Sequence, residues 1–273
     1  MPREGTGPDF IEALARGLEV IAAFRPGRPV MTLADVAGAT GLARPTARRI
    51  LLTLIELGYV RAAGTGSPQA GFALTPRVLE LGMAYVHSMG LWDIARPHME
   101  RLVARTNESS SIAQLDGSDV VYVARVSVPK LVTLAVDIGT KFPALPTSLG
   151  RVLLAALSPD EVDRVLTEPS RSGITARWQP TRDERDAELA QVRARGWALT
   201  DEKLAPGIRS VAAPLRDGSG RVIAALNVNA HAAETGVEKL REEFLPLLLT
   251  TAGEISADWA RRDALPHVGR PAS

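Results

Sequence analysis

Apolar side chains recur at helical spacing through the first part of the chain and predict three consecutive helices. The first helix is amphipathic and ends at residues 25–27, which are Arg-Pro-Gly. Its apolar stripe consists of Phe10, Leu14, Leu18 and Ile21. Thr32 suits the N-cap of the second helix, and Gly41 supplies the left-handed backbone that a helix end favours. Pro45 lies in the first turn of the third helix, where no amide donor is needed. The two short helices around Gly41 therefore predict a helix-turn-helix.

The third predicted helix begins near Arg44, ends at Gly58 and has two different faces. One face is aliphatic and is expected to be buried: Ala47, Ile50, Leu51, Leu54 and Leu57. The other carries the candidate DNA-binding residues Arg44, Pro45, Thr46, Arg48, Arg49 and Thr53. Arginine binds guanine or phosphate in the major groove, and threonine hydroxyls bind phosphate oxygens. A plain helical hairpin with a solvated basic face is the alternative interpretation.

Two short strands follow this helix, over residues 59–62 and 71–74, and the loop between them would form a wing. The loop holds no basic side chain, so it would contact phosphate through backbone amides or through Thr65, Ser67 and Gln69. A loop that contacts nothing is an equally good interpretation. The helices and the hairpin together favour a winged helix-turn-helix over residues 9–75, with a linker helix over residues 76–90.

From residue 110 the apolar period changes to the alternation of strands. Strands are predicted over residues 110–115, 120–126, 131–136, 141–145, 197–200, 210–215 and 222–229. The helices predicted among them include one over residues 91–106 that is bent or restarted at Pro97, and one that begins at Ser148. Capping residues open three more, at Ser158, Thr181 and Thr235. These elements predict an antiparallel α+β domain over residues 91–262 and a flexible tail over residues 263–273.

Composition narrows the class of protein. A chain of 273 residues with a net charge of +1 suits two domains and a local, rather than broadly electrostatic, contact with DNA. It contains no cysteine, which excludes disulfides and thiolate metal sites, and its four histidines show no metal-ligand spacing. Neither an export signal nor a long apolar stretch is recognised. We therefore expect a cytoplasmic protein that needs no metal or cofactor and does not bind a membrane.

Polar residues on the last predicted strand indicate a ligand pocket. Period two places four side chains on one face of this strand: Ile223, Ala225, Asn227 and Asn229. Two buried amides need partners, because an unsatisfied one costs about 1–3 kcal/mol. Ser210, on the preceding strand, would face the same side. The helix that begins at Ser148 offers free N–H groups that suit a carboxylate. The pattern favours a small organic-anion pocket, unless neighbouring backbone satisfies these groups.

Three segments carry a family resemblance: LADVAGATGLARPTARRILLTLIELGYV, TSLGRVLLAAL and DEKLAPGIRSVAAPLRDGSGRVIAALNV. In this order they resemble the IclR family of bacterial regulators, over residues 10–259. Such proteins have a winged helix-turn-helix, a linker helix and a GAF-like α+β effector domain. The segments LTPRVLELGMAYV and LWDIARPHMERLV resemble the branch that regulates aromatic-acid and β-ketoadipate catabolism.

The resemblance implies an effector pocket formed by Ser148, Leu149, Asp201, Ile208, Ser210, Asn227 and Asn229. It also implies a homodimer or homotetramer that binds a double-stranded DNA operator and responds to a small organic acid. One difference precedes the TSLGR segment. Where many relatives have His or Tyr followed by Ala, this chain has Leu145-Pro146, so a polar group at the pocket mouth would be missing.

Two other classes of function stay open. One is an enzyme acting on a small organic acid, but the chain lacks a GxSxG elbow and a P-loop. The acidic pair Asp201-Glu202 lies near Arg209, and a structural ion pair explains it better than acid–base catalysis. The other class is a dimeric DNA-binding protein without a ligand, against which the polar residues of the last strand argue. The effector, the operator and the sign of regulation are not determined by the sequence.

Overall fold

The structure, a computed structural model, describes residues 7–25, 27–63, 71–82, 90–129 and 136–263. Four predicted features lie wholly or mostly outside these residues: the wing loop, the strand over residues 131–136, the end of the linker helix and the tail. The chain divides into two compact units, Met1–Ser88 and Met89–Ser273. Among the described helices, none has both the length and the apolar character needed to cross a membrane.

The described part of the first unit consists of short helices and a small antiparallel sheet. Its helices are α1 (Glu12–Ala23), α2 (Leu33–Thr40) and α3 (Arg44–Glu56), and residues 78–82 are also helical. Its strands are β1 (Val30–Met31), β2 (Val60–Ala63) and β3 (Gly71–Leu74), in the order β1-β3-β2. The sequence did not predict β1. Apolar side chains from the helices and strands form one core, in which Val20, Val36, Leu51 and Val60 are buried.

Both ends of α2 and the start of α3 have the residues that the sequence predicted there. Thr32 Oγ1 accepts the N–H of Asp35, and the Asp35 carboxylate accepts the N–H of Thr32 at 2.9 Å, which forms a capping box. Gly41 ends α2 at φ 67°, in the left-handed region that favours glycine. Pro45 lies in the first turn of α3. The predicted helix-turn-helix is confirmed.

The apolar stripes of α1 and α3 are buried only in part. Leu51 and Leu54 of α3 are buried as expected, but Leu57 is 49% exposed because the helix ends there. The fully buried side chain of α1 is Val20, whereas Leu14 and Leu18 of the helix and Phe10, just before it, are 40–61% exposed. The stripe at these three positions is therefore a surface feature of the chain rather than part of its core.

The second unit is built around a larger antiparallel sheet. Its described strands are β4 (Ser109–Asp116), β5 (Asp119–Val126), β6 (Lys141–Pro143), β7 (Ala198–Asp201), β8 (Ile208–Arg216) and β9 (Val222–His231). Their order is β6-β5-β4-β9-β8-β7. The described helices are α4 (Leu91–Thr106), α5 (Ser148–Ala155), α6 (Pro159–Thr167), α7 (Arg182–Arg195), α8 (Val237–Lys239) and α9 (Leu245–Asp263). α4 and α9 pack on one face of the sheet, and α5 packs on the other. The predicted α+β class is confirmed.

Two helices of this unit differ from the prediction. α4 is one continuous helix that contains Pro97, so the restart that was one form of the prediction is wrong, and burial of Ala95 and Met99 favours the helix despite the amide that the proline lacks. Thr235 does not cap the last helical segment, since its hydroxyl donates to Glu108 Oε1 at 3.2 Å. The N-cap of α8 is Gly236, without a side-chain hydrogen bond, and a π-helical stretch, Leu240–Phe244, joins α8 to α9.

The predicted face of β9 is wrong at one residue. Ala224 pairs with Leu215 and Val222 pairs with Arg216, so Ile223 is an extra residue in β9. At this extra residue the alternation of side chains between the two sides of the sheet is interrupted. Ile223 consequently packs with the core under α4 and α9, whereas Ala225 belongs to the core under α5.

The first turn of α5 requires a glycine. A Cβ at Gly150 would lie 2.0 Å from the carbonyl oxygen of Ala144, a backbone atom that cannot rotate away. Alanine ordinarily stabilises a helix by about 1 kcal/mol relative to glycine. We expect Gly150→Ala instead to destabilise this unit by about 1–3 kcal/mol, the usual cost of overpacking.

A matched control for this prediction is Gly253→Ala in α9, where nothing lies within 4 Å of the added methyl group. This variant is expected to raise the free energy of unfolding slightly. Urea unfolding of both variants measures the difference. Equal stabilisation by the two alanines would contradict the close approach of α5 to Ala144.

Candidate functional site

Polar side chains occupy two neighbouring rows across the large sheet. One row runs through β4, β9, β8 and β7 and consists of Ser109, Asn229, Ser210 and Thr200. The next row runs through β5, β4 and β9 and consists of Arg125, Ser111 and Asn227. Residues paired directly across antiparallel strands point to the same side of a sheet. These seven side chains, defined here as the polar face, therefore lie on the side against which α5 packs.

The N-terminus of α5 meets the polar face through a pair of hydroxyl groups. Ser148 Oγ lies 2.6 Å from Ser210 Oγ, and both residues are buried. Thr147 Oγ1 accepts the N–H of Gly150 at 2.9 Å. The N–H groups of Ser148 and Leu149 have no acceptor among the described residues. These donors and the positive end of the helix dipole favour an anion at this position.

The two predicted asparagines differ in how they are held. Asn227 is buried, and its Oδ1 accepts the N–H of Ser111 at 3.0 Å. This bond fixes the amide so that Nδ2 remains as a donor, without an acceptor in the described part of the chain. Asn229 is half-buried and forms no side-chain hydrogen bond to any described residue. Both amides are therefore able to donate to a ligand.

Arg125 gives the polar face a positive charge that the sequence analysis missed. Its side chain is half-buried, and Nη1 donates to Ser111 Oγ at 3.1 Å. Within the described ranges, no carboxylate lies within the ion-pair distance of 4.0 Å. Burial lowers the pKa of the Arg125 guanidinium, while Tyr122 and Asp137 oppose this effect. A half-buried guanidinium that forms no close ion pair favours binding of an anionic ligand.

Aromatic and aliphatic side chains surround the polar groups. Tyr122, which pairs with Ala113 on the same side of the sheet, is buried and packs edge-on against Phe142 with ring centroids 5.6 Å apart. Burial raises the pKa of Tyr122 to about 12, with Arg125 acting in the opposite direction. Leu149 is buried in the same core, and Ile208 packs against it. These side chains provide apolar walls beside the donors.

The structure does not bring Asp201 into this group. Asp201 pairs with Arg209 across β7 and β8, and Arg209 Nε lies 2.5 Å from Asp201 Oδ1. This pair is one position along from Thr200 and Ser210, so it points to the opposite side of the sheet. Leu145 and Pro146 stand where many relatives have His or Tyr followed by Ala. In this chain the Pro146 carbonyl oxygen accepts a hydrogen bond from the hydroxyl of Thr200 at 3.3 Å.

A buried ionic network lies beside the polar face. Arg151 of α5 is fully buried, and its Nη2 donates to Thr200 Oγ1 and to the Leu199 carbonyl, both at 2.5 Å. Its Nη1 lies 3.6 Å from Glu188 of α7, and Lys203 donates to the same carboxylate at 2.9 Å. Burial lowers the pKa of Arg151 to about 10, with Glu188 opposing the shift. The network fixes α5, α7 and β7 relative to one another.

The candidate DNA-binding residues all lie on α3. Five of them are exposed: Arg44, Pro45, Arg48, Arg49 and Thr53. Thr46 is half-buried, and the hydroxyl of Thr53 donates to the Arg49 carbonyl at 3.0 Å. Among the described residues, no carboxylate lies within 4.0 Å of these three arginines. Their guanidinium groups are available to phosphates or base edges.

A helix-turn-helix with available arginines and a second unit with a polar, partly positive face are features of a ligand-responsive DNA-binding regulator. The chain belongs to the IclR family of bacterial transcriptional regulators. Residues 13–64 match the IclR helix-turn-helix domain, and residues 83–257 match the bacterial transcriptional regulator IclR C-terminal domain. The prediction of a DNA-binding regulator rather than an enzyme is confirmed by this membership.

Individual relatives support the same family. The Pca regulon regulatory protein of Pseudomonas putida is 37% identical, covering 91% of this chain and 84% of that protein. A solved transcriptional regulator from Rhodococcus sp. RHA1 is 47% identical with a TM-score of 0.79, covering 93% of this chain and 100% of the other. A solved inducer-binding domain, from a double mutant of PobR from Acinetobacter, is in complex with 3-hydroxybenzoic acid. It is 30% identical with a TM-score of 0.55, covering 61% of this chain and 97% of that domain.

Proposed function

We propose that a small aromatic carboxylic acid binds between the polar face and the N-terminus of α5 and sets the affinity of this regulator for its operator. The observation that carries the proposal is Arg125, a half-buried cation that has Asp137 in its vicinity but no described carboxylate within 4.0 Å. A ligand carboxylate would form a charge-assisted hydrogen bond with it. The 3-hydroxybenzoic acid complex of the PobR variant supports an aromatic acid as the ligand.

The two ends of the proposed pocket suit different groups of such a ligand. One end is marked by Ser111 of β4, whose hydroxyl accepts a hydrogen bond from Arg125. The other end is marked by Ser210 of β8, whose hydroxyl is hydrogen-bonded to that of Ser148. β9 lies between these two strands. Two strand spacings and an offset of two residues along the strands separate their backbones by about 12 Å. A hydroxybenzoate bridges this space with its carboxylate on Arg125 and its hydroxyl near the serine pair, and the ring contacts the apolar walls.

A linear dicarboxylate is the second candidate ligand. The observation in its favour is that both ends of the proposed pocket suit an anion: Arg125 at one end and the free N–H groups of Ser148 and Leu149 at the other. Such a ligand would leave the aromatic Tyr122 and Phe142 without a ring to contact. A β-ketoadipate-pathway intermediate belongs to this class.

The regulator is proposed to act as at least a homodimer. Phe10, Ile11, Leu14 and Leu18 of the α1 region are 40–65% exposed and recur at helical spacing. A second copy of the same helix would cover this stripe, and two copies of α3 would then bind two half-sites. The operator is expected to be an inverted repeat with half-sites separated by whole turns of about 10–10.5 base pairs. The division into residues 9–75, 76–90 and 91–262 and a cytoplasmic location are part of this proposal.

A thermal-melting panel tests the ligand class. The purified protein is melted with 3-hydroxybenzoate, 4-hydroxybenzoate, adipate and the uncharged analogue 3-hydroxybenzamide. A ligand at 100 times its dissociation constant adds about 2.7 kcal/mol to the stability of the domain that binds it. We expect a hydroxybenzoate to raise the melting temperature more than adipate and the amide to have little effect. No shift with either hydroxybenzoate would contradict the proposal, and a shift with adipate alone would select the dicarboxylate.

A further inference from the structure

Leu52 is an apolar side chain on the side of α3 that carries the available arginines. It is 45% exposed, although its neighbours Leu51 and Leu54 are buried. Residues three or four positions apart are neighbours on a helix surface, so Leu52 lies beside Arg48 and Arg49. Both arginines are exposed, and no described carboxylate lies within 4.0 Å of either. Leu52 is therefore an exposed apolar side chain with two cations on the preceding turn, while Glu56, four residues later, lies at the C-terminal end of α3.

The helical period distinguishes Leu52 from the other exposed leucine near the end of α3. With 3.6 residues per turn, Leu52 lies within about 60° of Pro45, Arg48 and Arg49 around the helix axis. Leu57 is also exposed, at 49%, but it lies about 140° away from Leu52. Only Leu52 of this pair shares the proposed DNA-binding side.

We propose that Leu52 recognises the C5-methyl group of a thymine in the major groove. A leucine side chain forms no hydrogen bonds, and the thymine methyl is the apolar group that a base pair presents in that groove. The flanking arginines bring the side chain to a polyanion and would repel a second copy of the same surface. The inference rests on the proposed role of α3 and adds a specificity-determining residue to it.

The test removes the methyl group from the DNA and the side chain from the protein. Tight-binding duplexes are first selected with the wild-type protein from a randomised pool. Each thymine is then replaced by deoxyuridine, which deletes only the C5-methyl group. We expect one thymine in each half-site at which replacement weakens wild-type binding about four- to fifteenfold, as for the loss of one or two buried carbon groups. Leu52→Ala is expected to bind the thymine duplex more weakly by a similar factor and to be insensitive to the replacement.

Two control variants separate the ways in which this inference fails. Leu57→Ala, an exposed leucine on another side of the helix, is expected to keep the wild-type sensitivity to deoxyuridine. If Leu52→Ala also keeps that sensitivity, or if the wild type has none at any thymine, the methyl contact is excluded. If Leu52→Ala becomes monomeric in sedimentation, Leu52 contacts a protein surface and the inference is wrong. If Arg49→Ala binds all duplexes like the wild type, the role of α3 fails together with this inference.

Discussion

Replacing Arg125 with glutamine is expected to lower the affinity for 3-hydroxybenzoate by about ten- to a hundredfold. A hydrogen bond to a charged group contributes about 1.5–3 kcal/mol, and each 1.4 kcal/mol is a factor of about ten in affinity. Glutamine keeps an amide donor for Ser111 Oγ but removes the positive charge that faces the proposed pocket. The affinity is measured by calorimetric titration of the full-length protein.

The matched control for this prediction is Arg209→Gln. Arg209 also lies on the large sheet, but it pairs with Asp201 on the side opposite the polar face. We expect this variant to bind 3-hydroxybenzoate like the wild type. An equal loss in both variants would indicate a general effect on the sheet, and no loss in Arg125→Gln would place the ligand carboxylate elsewhere.

The second large effect is expected for DNA binding by Arg49→Ala. Arg49 is exposed near the middle of α3, and no described carboxylate lies within 4.0 Å of it. If the side chain reads a base, the variant loses about 1–3 kcal/mol of specific affinity and tolerates changes at one base pair. If it contacts phosphate, binding to all sequences weakens together, and the slope of log affinity against log salt falls by about one unit.

Arg16→Ala provides the control for charge alone. Arg16 lies on α1, where its Nε contacts Glu12 Oε1 at 2.8 Å, and its loss changes the net charge by the same amount. Gel-shift titrations at three salt concentrations compare the two variants with the wild type. A folded Arg49→Ala variant with wild-type affinity and salt slope would contradict the assignment of α3 to DNA.

The parts of the fold that the sequence predicts well depend on chemistry between near neighbours. The capping boxes at Thr32, Ser158 and Thr181 each involve a carboxylate three residues later, and all three are present. Gly41 and Gly196 end their helices in the left-handed conformation that glycine favours. Such interactions are complete within one turn of the chain, so distant packing does not change them.

The parts that the sequence did not predict depend on pairing between strands. The turn at residues 116–119 sets a register that would place Ala124 opposite Ser111. A bulge makes Val123 an extra residue, so Arg125 pairs with Ser111 and points to the polar face. The bulge at Ile223 changes the phase of β9 in the same way. A bulge is favoured by contacts across the sheet, so it could not be predicted from composition or from the local spacing of residues.

Tertiary contacts explain the remaining differences. The hydroxyl of Thr235 was expected to cap a helix, but it donates to Glu108, which is distant in sequence. Asp201 was placed in the pocket by resemblance alone, and its pairing with Arg209 turns it to the other side of the sheet. The other six residues that the resemblance assigned to the pocket lie on the α5 side of the sheet or in the first turn of α5: Ser148, Leu149, Ile208, Ser210, Asn227 and Asn229.

The central claim is that a carboxylate bound at the polar face controls DNA binding, and one linkage measurement tests it most directly. Operator affinity is measured on a selected duplex with and without saturating 3-hydroxybenzoate, and effector affinity is measured with and without saturating operator. Coupling between two sites typically changes affinity by about 5- to 150-fold, and the factor must be equal in both directions. We predict such a reciprocal change in the wild type and its absence in Arg125→Gln. Effector binding that leaves operator affinity unchanged would contradict the claim.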